Sequence, residues 1–118
     1  MLVFGGQEDD AWILQFGPQG GWVPFFVPAG GPGTFVGARA AWDTQRNRAL
    51  FLYLNKQTPA LWVLDFAPSL HWTHPATSGL PNFRSNESVT YDALRDRLLV
   101  FGGGDTPPFV GTYYNDLW

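Results

Sequence analysis

Charged side chains recur at a fixed spacing in two parts of the chain. An aspartate is followed three and five positions later by arginines, and the same trio returns 49 positions on (Asp43, Arg46 and Arg48; Asp92, Arg95 and Arg97). Such an aspartate can accept hydrogen bonds from the N–H groups of a turn and pair with an arginine across it. Because the trio recurs together with the surrounding sequence, we interpret it as hairpin architecture rather than a catalytic site.

Candidate metal ligands are few. Asp9, Asp10 and Asp105 offer the carboxylate oxygens that calcium prefers, but their spacing matches no dedicated calcium loop, so a solvated acidic rim is the preferred interpretation. The two histidines, His71 and His74, are three positions apart, and on a strand such side chains point to opposite faces. Because the chain also has no cysteine, we predict no metal site, no cofactor and no catalytic residue.

The composition argues against two classes of partner. The net charge is -3, whereas a surface that binds nucleic acid is basic. No apolar run approaches the ~20 residues that cross a bilayer as a helix, and the first residues show no signal peptide. We therefore expect neither nucleic acid nor a membrane span, and we assign no cellular compartment.

One phrase of the sequence is repeated, because Val3-Phe4-Gly5-Gly6 returns as Val100-Phe101-Gly102-Gly103. Three further pairs of identical residues lie 50 positions apart: Trp12 and Trp62, Trp22 and Trp72, Pro18 and Pro68. Recurrence at a period of about 50 residues is typical of repeat architectures. We expect the repeated tryptophans to pack in the core rather than to stack on sugars.

Each repeat divides into four short strands. The first is expected at 37–42 and 87–91, the second at 1–6, 48–54 and 97–103, the third at 11–16, 60–66 and 114–118, and the fourth at 22–26 and 70–74. Aliphatic and aromatic residues dominate these runs, which favours strands packed on both faces. No segment shows the 3.6-residue spacing of an amphipathic helix. The sequence therefore predicts an all-β protein of ten strands.

These motifs resemble kelch repeats. The resemblance lies in Val-Phe-Gly-Gly ending the second strand, in Tyr-Asn-Asp-Leu-Trp at 114–118, and in Tyr91-Asp92 followed by Arg95 and Arg97. It implies kelch-type β-propeller blades of four antiparallel strands. Residues 37–75 would form a complete blade, 1–26 a partial blade with strands two to four, and 84–118 a partial blade with strands one to three.

Ten strands make only two and a half such blades, whereas a closed propeller takes ~4–8. We therefore expect the fold to be incomplete as a single chain, since an open array leaves sheet faces and an edge exposed. The chain would be part of a longer propeller, or a homo-oligomer whose copies close a ring.

The resemblance also implies a binding face. It would be formed by the loops that join the second strand to the third and the fourth to the first, which are residues 7–10, 55–59 and 104–112, and residues 27–36 and 76–84. The candidate binding residues on or beside these loops are Phe35, Arg39, Phe83, Arg84, Asp105 and Phe109. The arginines would grip an acidic group of a ligand. In the alternative interpretation, the phenylalanines pack beneath the loops as small clusters.

Three functions follow from the resemblance. The first is a non-enzymatic scaffold that binds another protein or further copies of itself. The second is a fragment of a kelch-fold enzyme acting on sugars or small metabolites, although the copper oxidases of this class need a cysteine that the chain lacks. The third is a structural subunit of an open or closed multi-chain assembly.

Overall fold

The structure of the chain, a computed structural model, describes residues 1–5, 10–34, 36–56, 58–105 and 111–118. These residues form nine β-strands and no helix, so the prediction of an all-β fold is confirmed. The strands belong to three antiparallel sheets that follow one another along the chain. Nothing in the described segments is a helix that could cross a bilayer.

The first sheet contains β1 (Leu2–Phe4), β2 (Ala11–Gln15) and β3 (Gly21–Pro24), in that order. Between β2 and β3 the chain turns at Gly17, whose φ of 127° is a conformation that residues with a side chain rarely adopt. The N–H of Gly20 donates to the carbonyl of Gly17 and closes this turn.

The second sheet contains β4 (Arg39–Asp43), β5 (Arg48–Tyr53), β6 (Ala60–Asp65) and β7 (His71–Thr73), again in chain order. Nearly all of β5 is buried. Successive side chains on a strand point to opposite faces, so a strand buried throughout needs a packing layer on both sides. The neighbouring sheets supply these layers.

The core accordingly lies on both sides of the second sheet. Toward the first sheet, the ring of Phe51 contacts that of Phe4, with centroids 4.7 Å apart. Toward the third sheet, Leu52 and Leu54 pack with Val100. Burying an aliphatic or aromatic side chain of this size stabilises a fold by about 1.5–3 kcal/mol, and β5 contributes to both clusters.

The third sheet contains β8 (Ser88–Asp92) and β9 (Arg97–Phe101). The strand predicted at 114–118 is present only as isolated pairing: Val100 and Trp118 exchange two backbone hydrogen bonds, of 3.0 and 2.9 Å. The reason is the glycine pair that follows Phe101. Both glycines have positive φ, 68° and 89°, so the chain bends and the pairing is irregular. It continues past the bend, where the N–H of Gly102 donates to the carbonyl of Asp116 and the N–H of Tyr114 donates to the carbonyl of Gly103.

The second sheet has no glycine pair at the corresponding place. Tyr53 and Leu54 stand there instead, and both are buried. The hydroxyl of Tyr53 donates to the carbonyl of Thr34. At this position the second sheet therefore extends its core, whereas the third sheet bends.

The strand pairing is equivalent in the three sheets, because a tryptophan lies opposite the same position of the preceding strand in each (Val3 and Trp12, Phe51 and Trp62, Val100 and Trp118). The expectation that the repeated tryptophans form the core holds for Trp62 and Trp72. Trp12, Trp22 and Trp118 are instead 38%, 50% and 50% exposed. Trp12 and Trp22 lie on the face of the first sheet that points away from the second sheet. Trp118 lies opposite Val100, which packs toward the second sheet, so an uncovered face does not account for its exposure.

Candidate binding cleft

An open cleft of about 830 Å³ lies where loops of the second and third sheets meet. Its lining residues come from the loop after β5, the segment before β8 and the segment after β9 (Lys56, Asn82, Phe83, Asp105, Gly111, Thr112 and Tyr114). We call this feature the binding cleft. It brings together loops of both kinds that the sequence assigns to a binding face.

One wall of the binding cleft combines a cation with an aromatic ring. The ammonium group of Lys56 lies 4.9 Å from the centroid of the Phe83 ring. This cation–π contact holds the lysine side chain over the ring and leaves its N–H groups able to donate to a ligand. The side chain of Phe83 is half-buried. A half-buried ring can pack beneath its loop and also contact a ligand, so the two roles predicted for it are compatible.

The carboxylate of Asp105 orders another part of the cleft lining through hydrogen bonds. Asp105 accepts hydrogen bonds from the backbone N–H of Thr112, at 2.8 Å, and from the hydroxyl of Tyr114, at 3.3 Å. Burial raises the pKa of the Tyr114 phenol, and the charge of Asp105 and this hydrogen bond raise it further. The phenol therefore remains protonated at neutral pH and keeps its role as a donor.

Arg84 lies beneath the cleft, with only 1% of its side chain exposed. Its guanidinium binds both carboxylate oxygens of Asp116, at 2.6 and 3.1 Å, and stacks on the Tyr114 ring at 4.3 Å. It also donates to the carbonyls of Asn82 and Gly102. An acidic ligand would have to displace Asp116 to reach it, so the geometry gives Arg84 the role of positioning Tyr114 and Phe83.

The ion pair with Arg84 lowers the pKa of Asp116. The hydrogen bonds from Arg84, and a further one of 2.7 Å from the Trp118 indole, lower the pKa of Asp116 to about 2. The carboxylate is therefore ionised throughout the neutral range. Bidentate arginine–carboxylate pairs of this kind combine strength with fixed geometry.

Arg39 does not line the binding cleft. Its Nε donates to the backbone carbonyl of Glu87 at 3.1 Å, and its Nη2 lies 3.5 Å from the side-chain oxygen of Asn86. It thus joins the second sheet to the third. Of the candidate binding residues, the structure brings Phe83, Arg84 and Asp105 together; Phe35 and Phe109 fall outside the described residues.

Among the described lining residues of the binding cleft, Phe83 and Asp105 are the candidates that the sequence indicates, whereas the side chains of Lys56 and Tyr114 are not. Lys56 is the single lysine of the chain, and it stands in a loop assigned to the binding face, so its uniqueness was an available signal. The sequence predicts Tyr114 on a strand. Only the bend after β9 turns its ring toward Arg84.

The repeated acidic and basic trio is hairpin architecture, as predicted. Asp43 is fully buried and accepts from the backbone N–H groups of Gln45 and Arg46, at 3.0 and 3.1 Å. Its other oxygen accepts from the side chains of Arg46, at 3.1 Å, and Arg48, at 2.8 Å. Although burial alone would raise it, these bonds lower the pKa of Asp43 to about 2.

The same hairpin also links two sheets. Arg46 binds both carboxylate oxygens of Asp96, at 2.7 and 2.5 Å, and its guanidinium lies 3.4 Å from the Tyr91 hydroxyl. Burial, and then the hydrogen bond to Asp96, raise the pKa of Tyr91 to about 12. Arg46 therefore fastens the turn of the second sheet to that of the third.

The histidines are held by local contacts. The ring of His74 stacks on Trp62 with centroids 4.6 Å apart, and Nδ1 of His71 lies 2.8 Å from the carbonyl of Ser69. Within residues 1–5, 10–34, 36–56, 58–105 and 111–118, no three His, Asp or Glu side chains are grouped so that they could share a metal ion.

Comparison of the chain with protein-family models, with curated proteins and with solved structures gave no match.

Proposed function

We propose that this chain is a kelch-type β-propeller module that binds a protein partner through the binding cleft and has no catalytic activity. One observation carries the proposal: loops from two adjacent sheets converge on an open cleft with two aromatic rings and two opposite charges. Binding sites of this kind combine apolar surface with a few placed polar groups.

The packing of the sheets supports the propeller part of the proposal. Phe4 and Leu52 occupy equivalent positions, and each packs toward the sheet that follows. Phe51 and Val100 are also equivalent, and each packs toward the sheet that precedes. Sheets that repeat one register and one packing direction are what a radial array requires.

The chemistry of the binding cleft favours a protein segment as its ligand. Phe83 and Tyr114 offer apolar surface for one side chain, and Lys56 can pair with an acidic residue beside it. Among the described lining residues Asp105 is the single carboxylate. A glycosidase would need two carboxyl groups flanking the scissile bond, so the described lining of the cleft does not favour glycoside hydrolysis.

The proposal is tested by selecting binders from a phage-displayed library of random peptides. We expect the selected peptides to carry an apolar residue next to an acidic one, and to lose binding to the Phe83→Ser and Lys56→Glu variants by about tenfold or more. Phe26→Ser is the matched control, because this phenylalanine is 87% exposed and lies outside the cleft.

One result of this selection would contradict the proposal. Peptides that bind all three variants as tightly as the unmodified protein would show that the binding cleft is not the binding site. Circular dichroism of each variant establishes that the fold is retained before affinities are compared.

A second candidate function is self-assembly, and a separate observation favours it. The outer face of the first sheet carries Val3 and Trp12, which are paired across β1 and β2. The outer face of the third sheet carries Phe101 and Leu117, which are 52% and 65% exposed. Apolar faces of this kind at both ends suit head-to-tail association of copies.

A further inference from the structure

The side chain of Asn82 lines the binding cleft and is exposed to solvent. Its backbone carbonyl accepts a hydrogen bond from Arg84, but in the part of the chain that the structure describes its side-chain amide has no hydrogen-bond partner. An amide offers an oxygen that accepts and an NH2 group that donates. Both groups are therefore available to a ligand in the cleft.

The backbone around Asn82 is fixed on both sides. Pro81, which precedes it, is buried. The Nε atom of Arg84 donates to the carbonyl of Asn82 at 3.2 Å, and the backbone N–H of Arg84 donates to the carbonyl of Leu54, which follows β5, also at 3.2 Å. The amide is thus presented from a rigid segment, which lowers the entropic cost of ordering it around a ligand.

The other described lining residues offer different chemistry. The ammonium group of Lys56 can only donate, and the ring of Phe83 has no hydrogen-bonding group. The hydroxyl of Tyr114 donates to Asp105. Asn82 alone among them carries an amide. A peptide backbone has the matching pair of groups, because the N–H and C=O of one residue in an extended chain point to the same side. One side-chain amide can therefore bind both.

We infer that Asn82 determines the specificity of the binding cleft for an extended peptide backbone. Its amide oxygen accepts from the backbone N–H of one ligand residue, and its NH2 group donates to the C=O of the same residue. The inference rests on the proposed function and names the conformation in which the partner segment binds. A helical segment is excluded as the partner, because the N–H and C=O groups inside a helix are already bonded to each other.

Asn82 gives the binding cleft a means of discrimination that its other groups lack. Phe83, Tyr114 and Lys56 recognise side chains, and they would accept any molecule that joins an apolar group to an acid. A molecule without a peptide N–H displaces water from the amide oxygen of Asn82 and supplies no donor in its place. An unmet hydrogen bond of this kind lowers affinity.

The test removes hydrogen-bonding groups from the peptide first. A peptide selected on the binding cleft is synthesised as a series in which each backbone amide in turn is replaced by an ester, which has no N–H to donate. Calorimetry measures the affinity of each peptide for the unmodified protein. We expect one position at which the ester binds about fivefold or more weakly than the amide.

The variant Asn82→Ala then tests the protein side of the contact. It should bind the all-amide peptide about tenfold more weakly, because two hydrogen bonds are lost. The ester at the sensitive position should cause no further loss in this variant, since a direct contact couples the two changes. Asn115→Ala is the matched control and should bind as the unmodified protein does, because Asn115 is also exposed but lies outside the cleft lining.

The inference is overturned if Asn82→Ala binds as tightly as the unmodified protein, if no ester position is sensitive, or if the ester weakens binding to both proteins equally. Should Phe83→Ser weaken peptide binding in any of these cases, the proposed function stands and only the role of Asn82 falls. If Phe83→Ser binds the peptide unchanged, both fall. Should Asn82→Ala not fold, Asn82→Asp takes its place, because it keeps the size of the side chain and loses the donor.

Discussion

Asp43 is fully buried, and its carboxylate accepts four hydrogen bonds, two on each oxygen. A buried charge is costly unless it is paired and hydrogen-bonded. The trio repeats at Asp92, whose side chain is 15% exposed and whose oxygens are held by Arg95 and Arg97. The same residues therefore make a buried clamp in the second sheet and a more solvated one in the third.

The first prediction compares these two clamps. Asp43→Asn should lower the free energy of unfolding by about 2 kcal/mol, because the buried carboxylate accepts four hydrogen bonds and its ion pairs with Arg46 and Arg48 are lost. Asp92→Asn should have a clearly smaller effect, because water can replace the carboxylate. Urea unfolding followed by tryptophan fluorescence measures both, and equal losses would contradict the burial argument.

The second prediction concerns pH. The pKa of Asp43 is about 2 in the folded chain, against an ordinary value of 3.8, so its ionised form is favoured by folding. The stability that this contributes is present above pH ~4 and is lost as the pH falls from about 4 to about 2. Asparagine does not titrate. The difference in unfolding free energy between the unmodified protein and Asp43→Asn should therefore shrink across this window, and a constant difference would refute the assignment.

At the scale of elements, the bend after β9 does most to shape the binding cleft. Gly102 and Gly103 end the strand, and residues 111–118 return along it with Tyr114 over Arg84. A Cβ on Gly103 would lie 2.8 Å from the carbonyl oxygen of Ser85. Glycine is required there both by its positive φ and by this close approach.

The third prediction separates those two requirements. Gly103→Ala should destabilise the chain by about 2–4 kcal/mol, since strain at positive φ adds to a clash with backbone. Gly33→Ala is the matched control, because Gly33 has a φ of 80° but open space around its Cβ, and it should lose only about 1–2 kcal/mol. Thermal unfolding provides the comparison. A loss at Gly103 no larger than that at Gly33 would show that the close approach is unimportant.

At the scale of the whole molecule, the first and third sheets differ from the second sheet in how many of their faces are covered. The second sheet is covered on both faces, whereas the first and third sheets each leave an apolar face exposed. Within the chain, Phe4 covers Phe51 of the next sheet. The third sheet presents Phe101 at the position equivalent to Phe4, so it can cover the first sheet of a second copy in the same manner.

The fourth prediction follows from these faces. Size-exclusion chromatography with light scattering should show the protein associating with rising concentration, because exposed apolar area is buried between copies. Leu117→Ser should shift the protein toward the monomer. Leu94→Ser is the control: Leu94 is 85% exposed but lies in the turn between β8 and β9, away from the outer face. A monomer at all concentrations would remove self-assembly as a function.

The sequence by itself determined the all-β class, the positions of nine of the ten predicted strands and the structural role of the Asp43 trio. These depend on local pattern: short runs of aliphatic and aromatic residues, glycine and proline at turns, and charges a few positions apart. Phe83 and Asp105 were also accessible to it, because the resemblance to kelch repeats implies that their loops share one face.

Only the tertiary structure decided the rest. Arg84 and Asp116 lie 32 positions apart, and their pairing removes the arginine from the set of accessible ligand groups. Lys56 and Tyr114 join the binding cleft because the second and third sheets pack side by side. Trp62 and Trp72 pack in the core whereas Trp12 and Trp22 are exposed, because the first sheet lies against one face of the second sheet and leaves its own other face uncovered. Long-range packing, which no local pattern records, governs all three outcomes.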